Sequence, residues 1–211
     1  MIFAILPVKL LTNAKQRLAG HLSAGQRQRL ARTLYEQTLA TLLQARGIDR
    51  VVVVTSDTYA AEHARRSGVQ IFEENEQLSH SASADAACRR AIREGASTAL
   101  LVPIDVPLVQ PEDFERLAAA AHPGVGIVPS SEGTGTNALV RTPPDVIESR
   151  FGPGSFQAHL EQARTRGVPA EVLQIPGLMF DIDTPDDVAE LLARAPESRA
   201  ARFLQSACAS K

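Results

Sequence analysis

Four consecutive valines, Val51–Val54, stand between Gly47 and the turn-forming pair Ser56-Asp57. A strand with one wet face alternates apolar and polar residues, so an unbroken β-branched run reads as a strand covered on both faces. Two more short apolar runs share this character: Ile2–Leu6, ending at Pro7, and Thr98–Val102. Segments of helical period separate them. Leu30, Leu34, Leu39, Leu42 and Leu43 mark one face of a helix expected over 24–46 and stopped by Gly47. Shorter helices are expected over 58–67 and 81–94, closed by Gly68 and Gly95, with a short strand at Val69–Phe72. Buried strands alternating with helices through short connections specify βαβ units. The prediction is an α/β fold with a mostly parallel central sheet and helices on both faces.

After about residue 105 the texture changes. Pro111–Ala121 is a helix opening with Pro and two acids, and Val125–Val128 and Ala138–Val140 are strands around a Gly/Ser/Thr loop. A helix over about Ser155–Arg166 and a strand near Glu171–Ile175 follow. Asp181-Ile182-Asp183-Thr184-Pro185 then introduces a last helix reaching Ala195. With no internal repeat and no linker, residues 1–194 read as one domain. Residues 195–211 have helical composition but weak periodicity and read as a packing arm or a tail.

At 211 residues the chain can bury a core without covalent staples. Cys88 and Cys208 make no disulfide framework, so a cytoplasmic location is expected. The apolar start has no basic residue before it and is interrupted by Pro7 and Lys9, so no signal peptide is expected. No apolar run approaches the roughly 20 residues of a membrane helix. A formal charge of −2 and 4% aromatic residues argue against a nucleic-acid partner. That charge is segregated, however. Residues 1–50 hold eight basic and two acidic residues, the remainder fourteen and twenty-two, giving +6 and −8. Arg27, Arg29 and Arg32 fall on the first helix and read equally well as a solvated face; Lys9, Lys15 and Arg17 precede it.

Ligands of open α/β sheets bind beyond the carboxyl ends of the strands. After the predicted strands come Lys9, Lys15 and Arg17; Thr55, Ser56 and Asp57; Asp105; Gly133-Thr134-Gly135-Thr136-Asn137; and Asp181 with Asp183. Cations, isolated carboxylates and a small-residue loop on one rim suit a polyphosphate with a divalent metal. Asp105 reads as a structural acceptor or a metal ligand. Asp183 could simply cap the helix after it, yet in an extended segment Asp181 and Asp183 share a face and could reach one ion. Such an all-oxygen site suits Mg²⁺. The Gly/Thr loop is either a hairpin turn or an anion cradle. Gly152-Pro153-Gly154-Ser155 puts Ser155 at a helix start, as an N-cap, an anion contact or both. The chain has no Walker loop, no dinucleotide fingerprint and no nucleophile elbow, and Cys88 reads as core.

Five ordered motifs carry a resemblance. They are Pro7-Val8-Lys9 with Ala14-Lys15-Gln16-Arg17-Leu18, Pro103–Leu108, Gly133–Leu139, Phe151–Phe156 with His159, and Asp181–Asp187. In these the chain resembles, over about residues 1–194, the guanylyltransferases of coenzyme F420 biosynthesis (CofC/FbiD). The resemblance implies a single-domain nucleotidyltransferase fold of the glycosyltransferase-A kind. It implies transfer of GMP from GTP, as co-substrate, to a small phosphorylated acid: 2-phospho-L-lactate, phosphoenolpyruvate or 3-phospho-D-glycerate. By the same resemblance Asp105, Asp181 and Asp183 would hold Mg²⁺ or Mn²⁺, and Thr136, Gly152 and Ser155, with Thr134 beside them, the acid. Lys9, Lys15 and Arg17 would lie along the GTP phosphates, with Lys9, Lys15 and Asp105 as the catalytic set. Many members carry Gly-Leu-Asn just before the third helix, near the guanine. Here Gln77-Leu78-Ser79-His80-Ser81-Ala82-Ser83-Ala84-Asp85 stands instead. His80 is then a replacement base contact or a helix-entry residue, and the change tilts the acceptor toward phosphoenolpyruvate or 3-phospho-D-glycerate. A homodimer is compatible with this reading. Its rivals are a molybdopterin- or sugar-phosphate-type nucleotidyltransferase and a catalytically silent nucleotide-binding regulator.

Overall fold

The first strand, β1 (Ile2–Val8), sends Ala4, Leu6 and Val8 to one side of the sheet and Phe3 and Ile5 to the other, all five fully buried. The structure, a computed structural model, describes residues 1–74 and 79–209, with the backbone alone for 208 and 209. The valine run lies in β2 (Arg50–Thr55), where Val53 faces one core and Val52 and Val54 the other. Strands β3 (Gln70–Glu73), β4 (Thr98–Leu101), β5 (Gly124–Pro129), β6 (Thr136–Thr142) and β7 (Ala170–Val172) complete a seven-stranded sheet of order β3-β2-β1-β4-β6-β5-β7. Only β6 runs against its neighbours in this sheet; it pairs antiparallel with β4 and β5.

Helices α1 (Ala24–Leu42), α2 (Thr58–Arg66) and α4 (Pro111–Ala119) cover one face through Tyr35, Leu39, Ala60, Phe114 and Leu117. Helices α3 (His80–Arg93) and α5 (Ser155–Thr165) cover the other through Ala84, Cys88, Ala91 and Ala163. Coverage on both faces is why the central strands could be uniformly apolar. A third core joins Leu30 and Leu34 of α1 to Leu191 of α7 (Pro185–Arg194) and to Ala200, Ala201 and Leu204 of α8 (Arg199–Ala209).

Several boundaries differ from the sequence reading. Strand β1 runs through Pro7 to Val8. In a parallel ladder Pro7 would face β4, as Ile5 does, but the β1–β4 pairing ends at Ile5–Leu101, so the missing N–H costs no ladder bond. Helix α1 stops at Leu42, short of the expected 46, and Gly47 takes a left-handed turn at φ 81°. Strand β7 is shorter than expected. Leu173 and Ile175 leave it to enter the core and lead into a one-turn helix, α6 (Pro176–Met179), which the apolar pattern did not signal. Among the described residues no helix is long and apolar enough to cross a membrane.

Candidate active site

Beyond Ile5 and Leu101, β1 and β4 separate, and a cleft of about 460 Å³ opens at their carboxyl ends. Its walls come from Lys9 after β1, Asp105 after β4, the β5–β6 connection, the start of α5, and the segment leading into α7. Helix α1 supports the Asp105 loop: Gln37 donates to the Pro107 carbonyl (2.8 Å) and Thr38 to that of Ile104 (3.2 Å).

Asp105, Asp181 and Asp183 each offer an oxygen within 4.8 Å of the other two. Ile182, fully buried in the third core, anchors the segment, so the carboxylates on either side of it share the opposite, cleft face. The Ile182 N–H also donates to the Asp105 carbonyl (3.2 Å), tying the two loops together. Asp183 does not cap α7. Thr184 does, in a capping box with Asp187, whose carboxylate accepts from the Asp183 and Thr184 N–H groups. The Asp183 side chain is thereby left to the cleft. Burial, with the Asp105 and Asp183 charges, pushes the Asp181 carboxyl up to about 6, against an opposing hydrogen bond from Asn137. Three clustered hard oxygens with an unfavourable mutual charge fit a divalent cation of the Mg²⁺ class.

Lys15 supplies the nearest compensation. Its ammonium lies 2.7 Å from Asp105 and 3.1 Å from Asp183, its side chain is 6% exposed, and its backbone adopts φ 56°. The two carboxylates hold its pKa above the usual lysine value although burial opposes this. It lies behind the carboxylates, lining a smaller adjoining cavity of about 200 Å³, rather than in the main cleft. Arg17 reaches Asp183 at 3.7 Å from an exposed position in the cleft wall. Lys9 lines the cleft and pairs with Glu74 at 3.3 Å and with the Ser83 hydroxyl. The other strand-end groups are structural: Asp57 caps α2 and accepts the Leu11 N–H, and Thr55 donates to the Val8 carbonyl. Arg29 and Arg32 lie over the Phe203 and Tyr59 rings, away from the cleft.

The opposite wall is built from small residues and hydroxyls. Gly152 (φ 129°) and Gly154 (φ 74°) adopt backbone conformations that a side chain would strain. Gly154 is the residue before α5, so Ser155 is its first residue and not its N-cap. The buried Ser155 hydroxyl accepts from the Thr136 N–H (2.8 Å), and the Thr136 hydroxyl meets His159 Nδ1 (2.9 Å). Thr134 is exposed at the rim, its carbonyl accepting from Phe156. His80 begins α3, capped by Ser79, and its ring lies edge-on to Phe151 at 4.8 Å in the cleft wall. Gln77 and Leu78, which replace part of the Gly-Leu-Asn, lie outside the described residues.

Helix α3 braces this wall. Asp85 forms a 2.8 Å ion pair with the buried Arg141 and accepts from the Ser149 N–H and hydroxyl, while Ser81 accepts from the Phe151 N–H. Two further residues, present in the sequence motifs, had no role assigned to them there. Asn137 donates to the Leu178 and Met179 carbonyls and to Asp181, and His159 is fully buried behind Thr136. The available signals were a polar residue interrupting an apolar strand and a histidine one helical turn beyond Ser155.

The sequence profile of the family described as "Guanylyl transferase CofC like" matches residues 2–210. A phosphoenolpyruvate guanylyltransferase of Sphaerobacter thermophilus is 39% identical over 195 residues, covering 92% of this chain and 93% of the relative. A 3-phospho-D-glycerate guanylyltransferase of Colwellia psychrerythraea is 33% identical over 90% of both chains. A 2-phospho-L-lactate guanylyltransferase of Methanothermobacter thermautotrophicus is 30% identical, covering 96% of this chain and 89% of the relative. In fold, a protein from Desulfovibrio desulfuricans G20 assigned as a nucleotide-diphospho-sugar transferase superposes with a TM-score of 0.77. That match has 17% identity and covers 97% of this chain and 94% of that one.

Proposed function

The chain belongs to the CofC-like family of guanylyl transferases, and from that premise we propose that it joins GMP from GTP to the phosphate of a three-carbon acid, with release of diphosphate, in coenzyme F420 biosynthesis. Phosphoenolpyruvate is the acceptor favoured, because relatives named for it share 34–39% identity, against 33% for one named for 3-phospho-D-glycerate and 30% for one named for 2-phospho-L-lactate. The observation that carries the reading is the cleft itself, with a carboxylate triad on one side and a hydroxyl- and glycine-lined cradle on the other.

In this reading a phosphate oxygen of the acid attacks the α-phosphorus of GTP. The bond from that phosphorus to the β-phosphate bridging oxygen breaks, and the electron pair leaves with diphosphate. No protein nucleophile is needed, so the work is alignment and charge compensation. Lys9 and Arg17, in the cleft wall, would lie along the triphosphate. Gly152, Ser155 and Thr136, with Thr134 at the rim, would hold the acid, and His80, in the cleft lining, would contact the base. Asp105, Asp181 and Asp183 would hold Mg²⁺ or Mn²⁺, which when bound offsets charge on the transferring phosphate. Lys15 orients Asp105 and Asp183 from behind.

The test is one reaction containing GTP, Mg²⁺ and all three acids, with products separated by mass. The expected product is the phosphoenolpyruvate adduct together with diphosphate. A dominant adduct of another acid would overturn the choice of acceptor. GTP binding without diphosphate release on any acid would overturn the activity.

A further inference from the structure

The ionised carboxylate and phosphate of such an acid present only hydrogen-bond acceptors, so the wall that holds them must offer donors. Thr136 and Ser155 carry hydroxyls that can donate or accept, and what turns each of them is visible in the structure. The Arg150 N–H donates to His159 Nε2 at 2.9 Å, so that nitrogen carries a lone pair and the neutral ring has its proton on Nδ1. Nδ1 faces the Thr136 hydroxyl at 2.9 Å and therefore donates to it. The threonine oxygen is the acceptor in that bond, which leaves its own proton to be given elsewhere. With the other tautomer, the Arg150 N–H would oppose an N–H, and Thr136 would spend its proton on the ring.

We infer that His159 is a positioning residue for the acid site: through a tautomer fixed by the Arg150 backbone, it commits the Thr136 hydroxyl to donate to the bound acid. This rests on reading the cleft as the acid site of a guanylyltransferase. The ring is suited to the task. It is fully buried, Phe151 packs edge-on against it at 5.5 Å, and burial lowers its pKa to about 4, so it stays neutral. Ser155 is committed by the same logic, because its oxygen accepts the Thr136 N–H and its proton remains for the ligand. The cradle is thus a pair of hydroxyls that each already accept one bond from a protein donor and keep a proton to give.

The variants that separate this role from packing are His159→Asn and His159→Gln. An Asn amide can place an N–H near the Nδ1 position, whereas a Gln reaches the Nε2 position and leaves Thr136 without its donor. His159→Gln is expected to raise KM for the acid about tenfold with KM for GTP changed less than about twofold, and His159→Asn to recover most of that loss. In a Thr136→Val background, His159→Gln should add nothing further to the acid KM. Equal effects of Asn and Gln, parallel rises in both KM values, or an undiminished effect in the Val background would each overturn the inference. Should the variants not fold, ¹⁵N NMR of the imidazole in the unaltered enzyme decides: Nδ1–H is expected, and Nε2–H would overturn it. Failure of the underlying functional reading looks different, because the unaltered enzyme would then turn over none of the three acids.

Discussion

Lys15 Nζ lies 2.7 Å from Asp105 Oδ2, on the far side of the carboxylates from the cleft. The ammonium is nearly inaccessible, while Asp105 is 27% and Asp183 41% exposed. The lysine therefore acts as an internal counter-ion that lets three acids share one small space, and its φ of 56° shows the loop held in an uncommon conformation to deliver it.

Replacing Lys15 by Met is expected to destabilise the fold by about 2 kcal/mol, less than for a fully buried pair because its partners are partly solvated. Divalent cations should restore much of the loss. The check is thermal unfolding with and without Mg²⁺, and a variant whose midpoint rises no more with Mg²⁺ than the unaltered protein's would contradict the counter-ion role.

Asp183→Asn keeps the backbone N–H bonded to Asp187, so the entry to α7 should survive. The carboxylate is lost from the triad, and turnover is expected to fall on the order of 100-fold or more. Steady-state rates beside an unchanged unfolding midpoint would test this, and near-normal turnover would remove Asp183 from the site.

Asn137→Asp is isosteric, but it removes an amide that serves two carbonyls and Asp181, and it places a fourth carboxyl beside the third. Stability is expected to drop by at least about 2 kcal/mol. Denaturant unfolding should show this as a lower midpoint at unchanged slope, and an unaffected midpoint would mean that the amide contributes nothing to that joint.

His159 gives the acid side of the stability profile a definite sign. Burial, together with the Arg141 and Arg150 charges and against that of Asp85, lowers its folded pKa to about 4 from the ordinary value of 6.5. Between those values the unfolded chain binds the extra proton. The contribution is complete above about pH 6.5, is lost as pH falls toward 4, and amounts to on the order of 3 kcal/mol. Unfolding free energies of the unaltered protein and His159→Asn, measured at pH 7 and pH 4.5, should converge at the lower pH. Subtracting the two proteins cancels the carboxylates. Parallel profiles would show that the imidazole is not buried neutral.

Much of this architecture was legible because local rules and global fold agree. The runs Ile2–Leu6, Val51–Val54 and Ala99–Val102 hold no polar residue, since each face of the sheet is roofed by helices, and α2 and α3 end beside Gly68 and Gly95 in left-handed turns. Asp105, Asp181 and Asp183 could be picked out because isolated carboxylates at strand ends have few structural reasons to be there. Thr55 and Asp57 occupied equally suggestive positions and proved to be spent on the backbone. Nothing in their local sequence separates the two cases, because the partner is a neighbouring strand or loop. Helix α6 was missed for a similar reason: a single turn carries no period to detect.

The sequence by itself determined the two-faced sheet, the helices that cover it and the inventory of charged and hydroxyl groups at its rim, because burial is written in apolar patterning along the chain. Only the tertiary structure decided how those groups pair. It put Lys15 behind the carboxylates instead of in the cleft, gave Asp181 its Asn137 partner, and set His159 between Arg150 and Thr136. Hydrogen bonds and charge interactions act over a few ångströms, and which residues come that close is fixed by chain crossings that patterning along the sequence does not encode.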